Sequence, residues 1–144
     1  MRYGFQGPCE NVVTACAAGP HSISNAARLI SSGRCPAVLA GSTHAGEEEA
    51  VLEAFRSVRA RVPDLALLLA PRHVERSDEV AALIAREGWR CRRRTDANGP
   101  ERPDVVLLNT MGELAVAYAI GDVVFVGGSL LPIGGHDILQ PLLQ

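Results

Sequence analysis

The sequence predicts an α/β fold: a three-layer, Rossmann-like domain around a mainly parallel sheet. Two observations carry this. From Pro36 onward, short apolar runs of strand length alternate with stretches of helical periodicity, the pattern of strands joined by crossover helices. Near its end the chain reads VVFVGGSLLPIGGHDILQPLL (123–143), an apolar run meeting glycine pairs at Gly127–Gly128 and Gly134–Gly135. Strand, glycine-rich turn and helix start leave backbone N–H groups and a helix dipole free to hold a phosphate.

The elements follow in order. Val12–Thr14 reads as a strand and Ala26, Leu29 and Ile30 as the inward stripe of a helix, so a βαβ unit runs from Val12 to Ala40. Ala37–Ala40 is a short buried strand closed by Gly41-Ser42-Thr43-His44. Glu47–Arg61 is a helix. Val51, Ala54, Phe55, Val58 and Val62 recur at three- and four-residue steps, acids crowd its first turn, and Pro63 follows its end. Leu65–Ala70 is a strand ending at Pro71-Arg72-His73. Ser77 is expected to cap a helix with Val80, Leu83 and Ile84 inward and Gly88 as its stop. Trp89–Arg94 suits an edge strand, and Ala97–Pro103 a loop. Val105–Leu108 is a third apolar strand, Glu113–Ile120 a short helix, Val123–Val126 a fourth strand, and Asp137–Gln144 begins a last helix.

Polar clusters therefore follow the predicted strands at Ser42–His44, Pro71–His73, Asn109–Glu113 and Gly134–Asp137. In an open parallel sheet all four lie along the carboxyl edge, where ligands bind.

Composition bounds the function. At 144 residues and 47% hydrophobic, the chain supplies one ordinary core. A net charge of −2 offers no electrostatic reason to bind nucleic acid. Arg90 and Arg92–Arg94 read as a solvated strand end. Cys9, Cys16, Cys35 and Cys91 have no CxxC spacing, so neither a zinc site nor a disulfide framework is indicated, and nothing in the sequence requires a metal. No continuous apolar leader and no run near about 18 apolar residues is present, so a soluble cytoplasmic chain without direct membrane insertion is expected.

Four motifs in order, AGSTHAGEEEAVLEAF (40–55), LLLAPRHVER (67–76), NTMGEL (109–114) and DVVFVGGSLLPIGGHDILQP (122–141), resemble the C-terminal half of the Kdo transferase family. That family moves 3-deoxy-D-manno-octulosonic acid from CMP-Kdo onto lipid A precursor, in lipopolysaccharide biosynthesis at the cytoplasmic face of the inner membrane. Its fold is the two-domain GT-B glycosyltransferase fold, and this half holds the nucleotide. The resemblance implies a donor substrate, CMP-Kdo, and no cofactor. It assigns Pro71 and Arg72, then Met111, Gly112 and Glu113, to CMP contacts. It assigns Gly134, Gly135, His136, Asp137 and Gln140 to the GGH motif, with the CMP phosphate stabilised by Arg72 and the helix start at Gly134–His136. Ser42, Thr43, His44 and His73 are secondary candidates. For Ser42–His44 the residues themselves favour hydroxyl caps on the following helix.

The chain departs from the family pattern G-G-H-N-x-L-E-P. Asp137 stands for the asparagine and Gln140 for the glutamate, so phosphate is repelled and a ribose contact loses its charge. The second change alone is worth on the order of 1 kcal/mol, about fivefold in affinity. Asn109 replaces the family's usual aspartate, and Ala45 its glutamate. The catalytic carboxylate, the acceptor contacts and membrane association belong to a domain absent from the sequence. The isolated chain is therefore expected to bind CMP or a CMP-sugar weakly and to transfer nothing.

A second resemblance covers GPCENVVTACAAGPHSISNAARLISSGRCPAVLAG (7–41), which is similar to the nucleophile region of β-ketoacyl synthases, of thiolase fold. Cys16 matches their acyl-accepting cysteine, at a helix N-terminus where the dipole favours thiolate. The family's two catalytic histidines have no match, and His21 is not one of them. The chain thus reads as a ketosynthase-like strand–turn–helix (1–37) joined to a truncated Kdo-transferase-like nucleotide-binding domain (38–144). Two other functions stand beside the CMP-binding one: a ketosynthase fragment acting through Cys16, and an inactive fusion that binds no ligand.

Overall fold

A computed structural model describes residues 37–96, 98, 100, 102–118, 121–130 and 132. The expected strand–turn–helix around Cys16, the motif from Gly134 to Gln140 and the last helix lie outside these residues.

Five strands, β1 (Ala37–Thr43), β2 (Ala66–Pro71), β3 (Cys91–Arg93), β4 (Val105–Leu107) and β5 (Val123–Val126), form one sheet in the order β3-β4-β2-β1-β5. Every pairing is parallel, with Leu39 opposite Leu68 and Val124, and Leu67 opposite Val105. Helices α1 (Glu47–Arg59) and α2 (Ser77–Arg86) cover one face, and the short α3 (Leu114–Tyr118) packs on the other. This is the α/β, three-layer, parallel architecture that the alternation of patterns predicts.

Burial follows the pleat. Ala40, Leu67, Leu69, Val105 and Leu107 join Val51, Leu52, Phe55, Val80, Leu83 and Ile84 in the larger core. Leu39, Ala70, Leu108, Ala117 and Tyr118 form the smaller one. Each leucine fully removed from water contributes about 1.5–3 kcal/mol, so the strands' apolar runs hold the layers together. On α1 the buried stripe is Val51, Leu52, Phe55 and Val58, with Leu52 inward where the periodicity suggested Ala54.

Local chemistry sets the helix ends. Gly46, at φ +92°, begins α1, and its N–H donates to the Glu49 carboxylate at 3.1 Å. Ser77 does not cap α2. A 3₁₀ turn at Val74–Arg76 leads into the helix, Ser77 is already helical, and its hydroxyl donates backward to the Val74 carbonyl at 2.5 Å. Gly88, at φ +83°, ends α2 as expected.

At the amino edge of the sheet Asp104 gathers two arginines. Arg90 donates to both of its oxygens at 2.9 Å, and Arg59 to Oδ1 at 2.7 Å. These hydrogen bonds, Arg90's foremost, hold the Asp104 carboxyl down at about 2. Arg93 pairs with Asp78 and Arg94 with Glu113, while the Arg90 and Arg94 side chains stay more than half exposed, so the basic cluster around β3 is a solvated strand end that carries ion pairs.

Candidate functional site

Because all strands run the same way, the turns after β1, β2, β4 and β5 emerge along one edge. Ser42–His44, Pro71–His73 and Met111–Glu113 meet there, as expected from the alternation of elements. β1 leads to β2 on one side while β5 lies on the other, so the strand order reverses at β1, a topological switch point.

Backbone hydrogen bonds knit these turns. Arg72 N donates to Thr43 O at 2.9 Å, Gly127 N to Gly41 O at 2.7 Å, and Leu108 N to Leu69 O at 2.8 Å. Ser42 sits at a β-bulge in the left-handed region, at φ +56°, a conformation rare for a residue with a Cβ. Tyr118 packs beneath it. Burial pushes the Tyr118 phenol above its ordinary value, and a hydrogen bond with the Ser42 side chain works against that rise.

Two consecutive, fully buried glutamates open α1. Glu47 accepts from His44 N at 3.0 Å, Gly128 N at 2.8 Å and Leu130 N at 3.0 Å. Glu48 accepts the Thr43 hydroxyl at 3.0 Å and a guanidinium N–H of Arg76 at 3.0 Å. The hydroxyls of Ser42–Thr43 therefore do not cap α1: Ser42 and Thr43 belong to the strand, and Thr43 is bound to Glu48 instead.

A cleft of about 290 Å³ opens between the ends of β2 and β4, lined by Ser42, Ala70, Pro71, Arg72, Val74, Leu108, Thr110, Met111, Gly112, Leu114 and Ala115. Arg72 and His73 are exposed, and the His73 ring meets His44 edge to face at 5.9 Å. Met111 is 75% exposed, the one large exposed hydrophobic side chain among the described residues, and Gly112 turns the chain at φ +81°. Glu113 takes the Thr110 hydroxyl at 2.5 Å and lies 3.5 Å from Arg94. Chemically this is a cleft of mixed polar and apolar walls, with an exposed cation, Arg72, and the hydroxyl-bearing Ser42 and Thr110 among its lining.

The structure thus brings Ser42, Pro71, Arg72, Met111 and Gly112 around one cleft, with Thr43, His44, His73 and Glu113 beside it. Gly134, Gly135, His136, Asp137 and Gln140 lie outside the described residues. Sequence reasoning missed Glu47, Glu48, Arg76 and Tyr118, which fix the turns. The run Glu47–Glu49 was visible only as first-turn acid, and nothing in it marks which carboxylate turns inward.

The comparisons with known proteins divide along the chain. The family model described as Beta-ketoacyl synthase, N-terminal domain, matches residues 1–79. The chain is 43% identical over 60 residues to the mitochondrial 3-oxoacyl-[acyl-carrier-protein] synthase of Arabidopsis thaliana, covering 42% of this chain and 13% of that protein. It is 46% identical over 108 residues to the 3-deoxy-D-manno-octulosonic acid transferase of Haemophilus influenzae, covering 74% of this chain and 25% of the transferase. It therefore spans about a quarter of the length of that curated relative. Among solved structures it resembles the C-terminal CMP-Kdo binding domain of WaaA from Acinetobacter baumannii, with TM-score 0.69 and 36% identity, over 86% of this chain and 67% of that one. The five-stranded sheet and its carboxyl-edge turns thus belong to the Kdo transferase family, as a homologue of its C-terminal domain, while the match over residues 1–79 places the chain in the β-ketoacyl synthase N-terminal family as well.

Proposed function

We propose that the domain from residue 38 onward binds the CMP moiety of a CMP-sugar, CMP-Kdo in the first place, as the donor-holding half of a Kdo transferase. The observation that carries this reading is the convergence of Pro71–Arg72 and Met111–Gly112 on one cleft at the carboxyl edge of a parallel sheet. Arg72 is the cation that meets the donor phosphate, and the charge it offsets grows as CMP departs. The Met111–Gly112 turn lets backbone approach the nucleotide, since Gly112 brings no side chain to the cleft. The Gly134–His136 backbone supplies further N–H donors to the phosphate, Gln140 a ribose contact, and Asp137 works against binding.

Transfer of Kdo to a lipid A precursor also needs acceptor contacts and a general base, which the donor cleft does not supply. Positioning and general-base catalysis supply many orders of magnitude in rate, and donor contacts alone do not replace them. The donor cleft on its own is expected to bind CMP weakly and to transfer no Kdo.

A CMP titration by calorimetry at fixed low salt tests the reading. Asp137→Asn with Gln140→Glu is expected to tighten binding by about fivefold or more, through removed phosphate repulsion and a restored charged hydrogen bond. Arg72→Ala is expected to weaken it about tenfold, the loss of a charge-assisted bond. Unchanged or weaker binding in the double variant with the fold intact would show the nucleotide site to be wrongly assigned.

The match of residues 1–79 to β-ketoacyl synthases favours one further reading, that residues 1–37 present Cys16 as an acyl-accepting thiol. Alkylation of Cys16 by iodoacetamide at pH 7, faster than that of an unstructured thiol, supports it. Ordinary reactivity together with no CMP binding leaves a fusion that binds neither ligand.

A further inference from the structure

The carboxylate of Glu47 is fully buried, and it holds together two strand ends far apart in sequence. Its Oε2 accepts from His44 N, just after β1, and from Gly128 N, just after β5; its Oε1 accepts from Leu130 N. The two later donors lie 81 and 83 residues further along the chain. A first-turn glutamate ordinarily serves its own helix, and here Glu49 already does so through Gly46 N. Glu47 is thereby free for long-range work. A carboxylate out of water is tolerated only where its lone pairs are filled, and three N–H groups with the α1 dipole fill them.

We propose that Glu47 is a positioning residue: it anchors the Gly127–Leu130 turn to the end of β1 and so holds in place the strand end whose Ser42 lines the donor cleft. The second half of this statement rests on the CMP-donor reading above. The anchored turn sits at the switch point, and Gly127 N reaches Gly41 O from within it. Without the carboxylate, the Gly128 and Leu130 N–H groups are left unpaired, and the turn moves outward to find water. Glutamine has nearly the same shape but carries one acceptor instead of two. Its NH₂ faces an N–H group on one side, so part of the anchor is replaced by repulsion.

The full chain, labelled with ¹⁵N, is compared as wild type, Glu47→Gln and Glu49→Gln. Amide exchange is followed by NMR, and CMP affinity by calorimetry. Glu47→Gln is expected to speed exchange at Gly128 and Leu130 at least about tenfold and to weaken CMP about tenfold, each the loss of one charged hydrogen bond. Leu67 and Leu69 in β2 should exchange as before, and Glu49→Gln should change neither readout. Exchange at Gly128 and Leu130 unchanged in Glu47→Gln overturns the anchor. Exchange freed with CMP affinity unchanged overturns its link to the donor. If the wild type shows no CMP binding, the donor reading falls, and the anchor stands or falls on exchange alone. Should Glu47→Gln not fold, Glu47→Asp keeps the charge but shortens the reach by one methylene. It is expected to free Leu130 N, and protection of that amide at the wild-type level overturns the proposal.

Discussion

At Gly127 a side chain has nowhere to go, because a Cβ there would stand inside the Ser42 carbonyl group. The cause is Ser42 itself, whose left-handed backbone turns its carbonyl toward β5. At Gly41 a Cβ would instead press on the Tyr118 hydroxyl, the far end of a side chain. At Gly46 it would meet nothing, and only the positive φ opposes it. The expected order of destabilisation is therefore Gly127→Ala, then Gly41→Ala, then Gly46→Ala. The first costs about 1–3 kcal/mol or more, as overpacking against backbone does. The last costs about 1 kcal/mol, a backbone-conformation cost. Urea midpoints of the three variants check this, and a Gly127→Ala as stable as Gly46→Ala would show that the turn is not held against β1. None of this ranking was legible in the sequence. Gly127 appeared as half of a phosphate-type glycine pair, and Ser42 as a hydroxyl cap, because a bulge depends on two strands and leaves no mark in either. Asn109 shows the same limit. It stood out only as a departure from the family's aspartate, yet its Nδ2 donates to the Thr95 hydroxyl at 2.8 Å and its Oδ1 accepts from Thr95 N at 3.3 Å. An aspartate could accept there but could not donate.

Among the elements, those with a long periodic stripe were readable and those fixed by distant partners were not. The inward stripe of α2, Val80, Leu83 and Ile84, is buried as its spacing requires. The three-residue β3 sits at the edge of the sheet, as the sequence suggests for Trp89–Arg94, but it has too little pattern to choose β4 as its neighbour, which depends on side chains outside it. Asp104, just before β4, accepts Arg90 N and the Arg90 guanidinium, so the start of β3 is tied to the start of β4. This clamp has a pH signature. The carboxyl titrates at about 2 in the folded chain against 3.8 ordinarily, so the group is depressed on folding. Its stabilisation is complete above the unfolded value and is lost as pH falls from about 4 toward 2. Screening at the half-exposed Arg90 reduces the contribution to about 1–2 kcal/mol. Asp104→Asn is expected to be less stable than wild type by that amount at pH 7, with the gap closing by pH 2. A gap that stays constant from pH 7 to pH 2 in urea unfolding would show that the ion pairs contribute nothing.

At the scale of the whole molecule, the described residues cover the two faces of the sheet unequally. α1 and α2 bury thirteen side chains against one face, while five close the other over α3. The described part of α3 is five residues, a length that depends on packing for its stability. Local opening should therefore begin on the α3 face, with free energies well below that of global unfolding. That face carries the cleft: Leu108 and Leu114 lie in or against the smaller core and also line it, and Met111 and Gly112 form the turn that leads into α3. A ligand in the cleft has to order this least stable part, and its binding energy is felt there first. Hydrogen exchange of the full chain is expected to be slowest at Leu67–Leu69 and Val51–Phe55 and faster at Leu114–Tyr118. Added CMP should slow exchange at 111–118 selectively, because that segment opens without global unfolding. At a hundredfold excess over its Kd, CMP stabilises the bound state by about 2.7 kcal/mol, a roughly hundredfold slowing wherever opening requires release. Slowing spread equally over both faces would mean that CMP acts on the global equilibrium rather than through the cleft. Slowing confined to α1 and α2 would place the nucleotide on the wrong side of the sheet for Arg72 and Met111 to hold it.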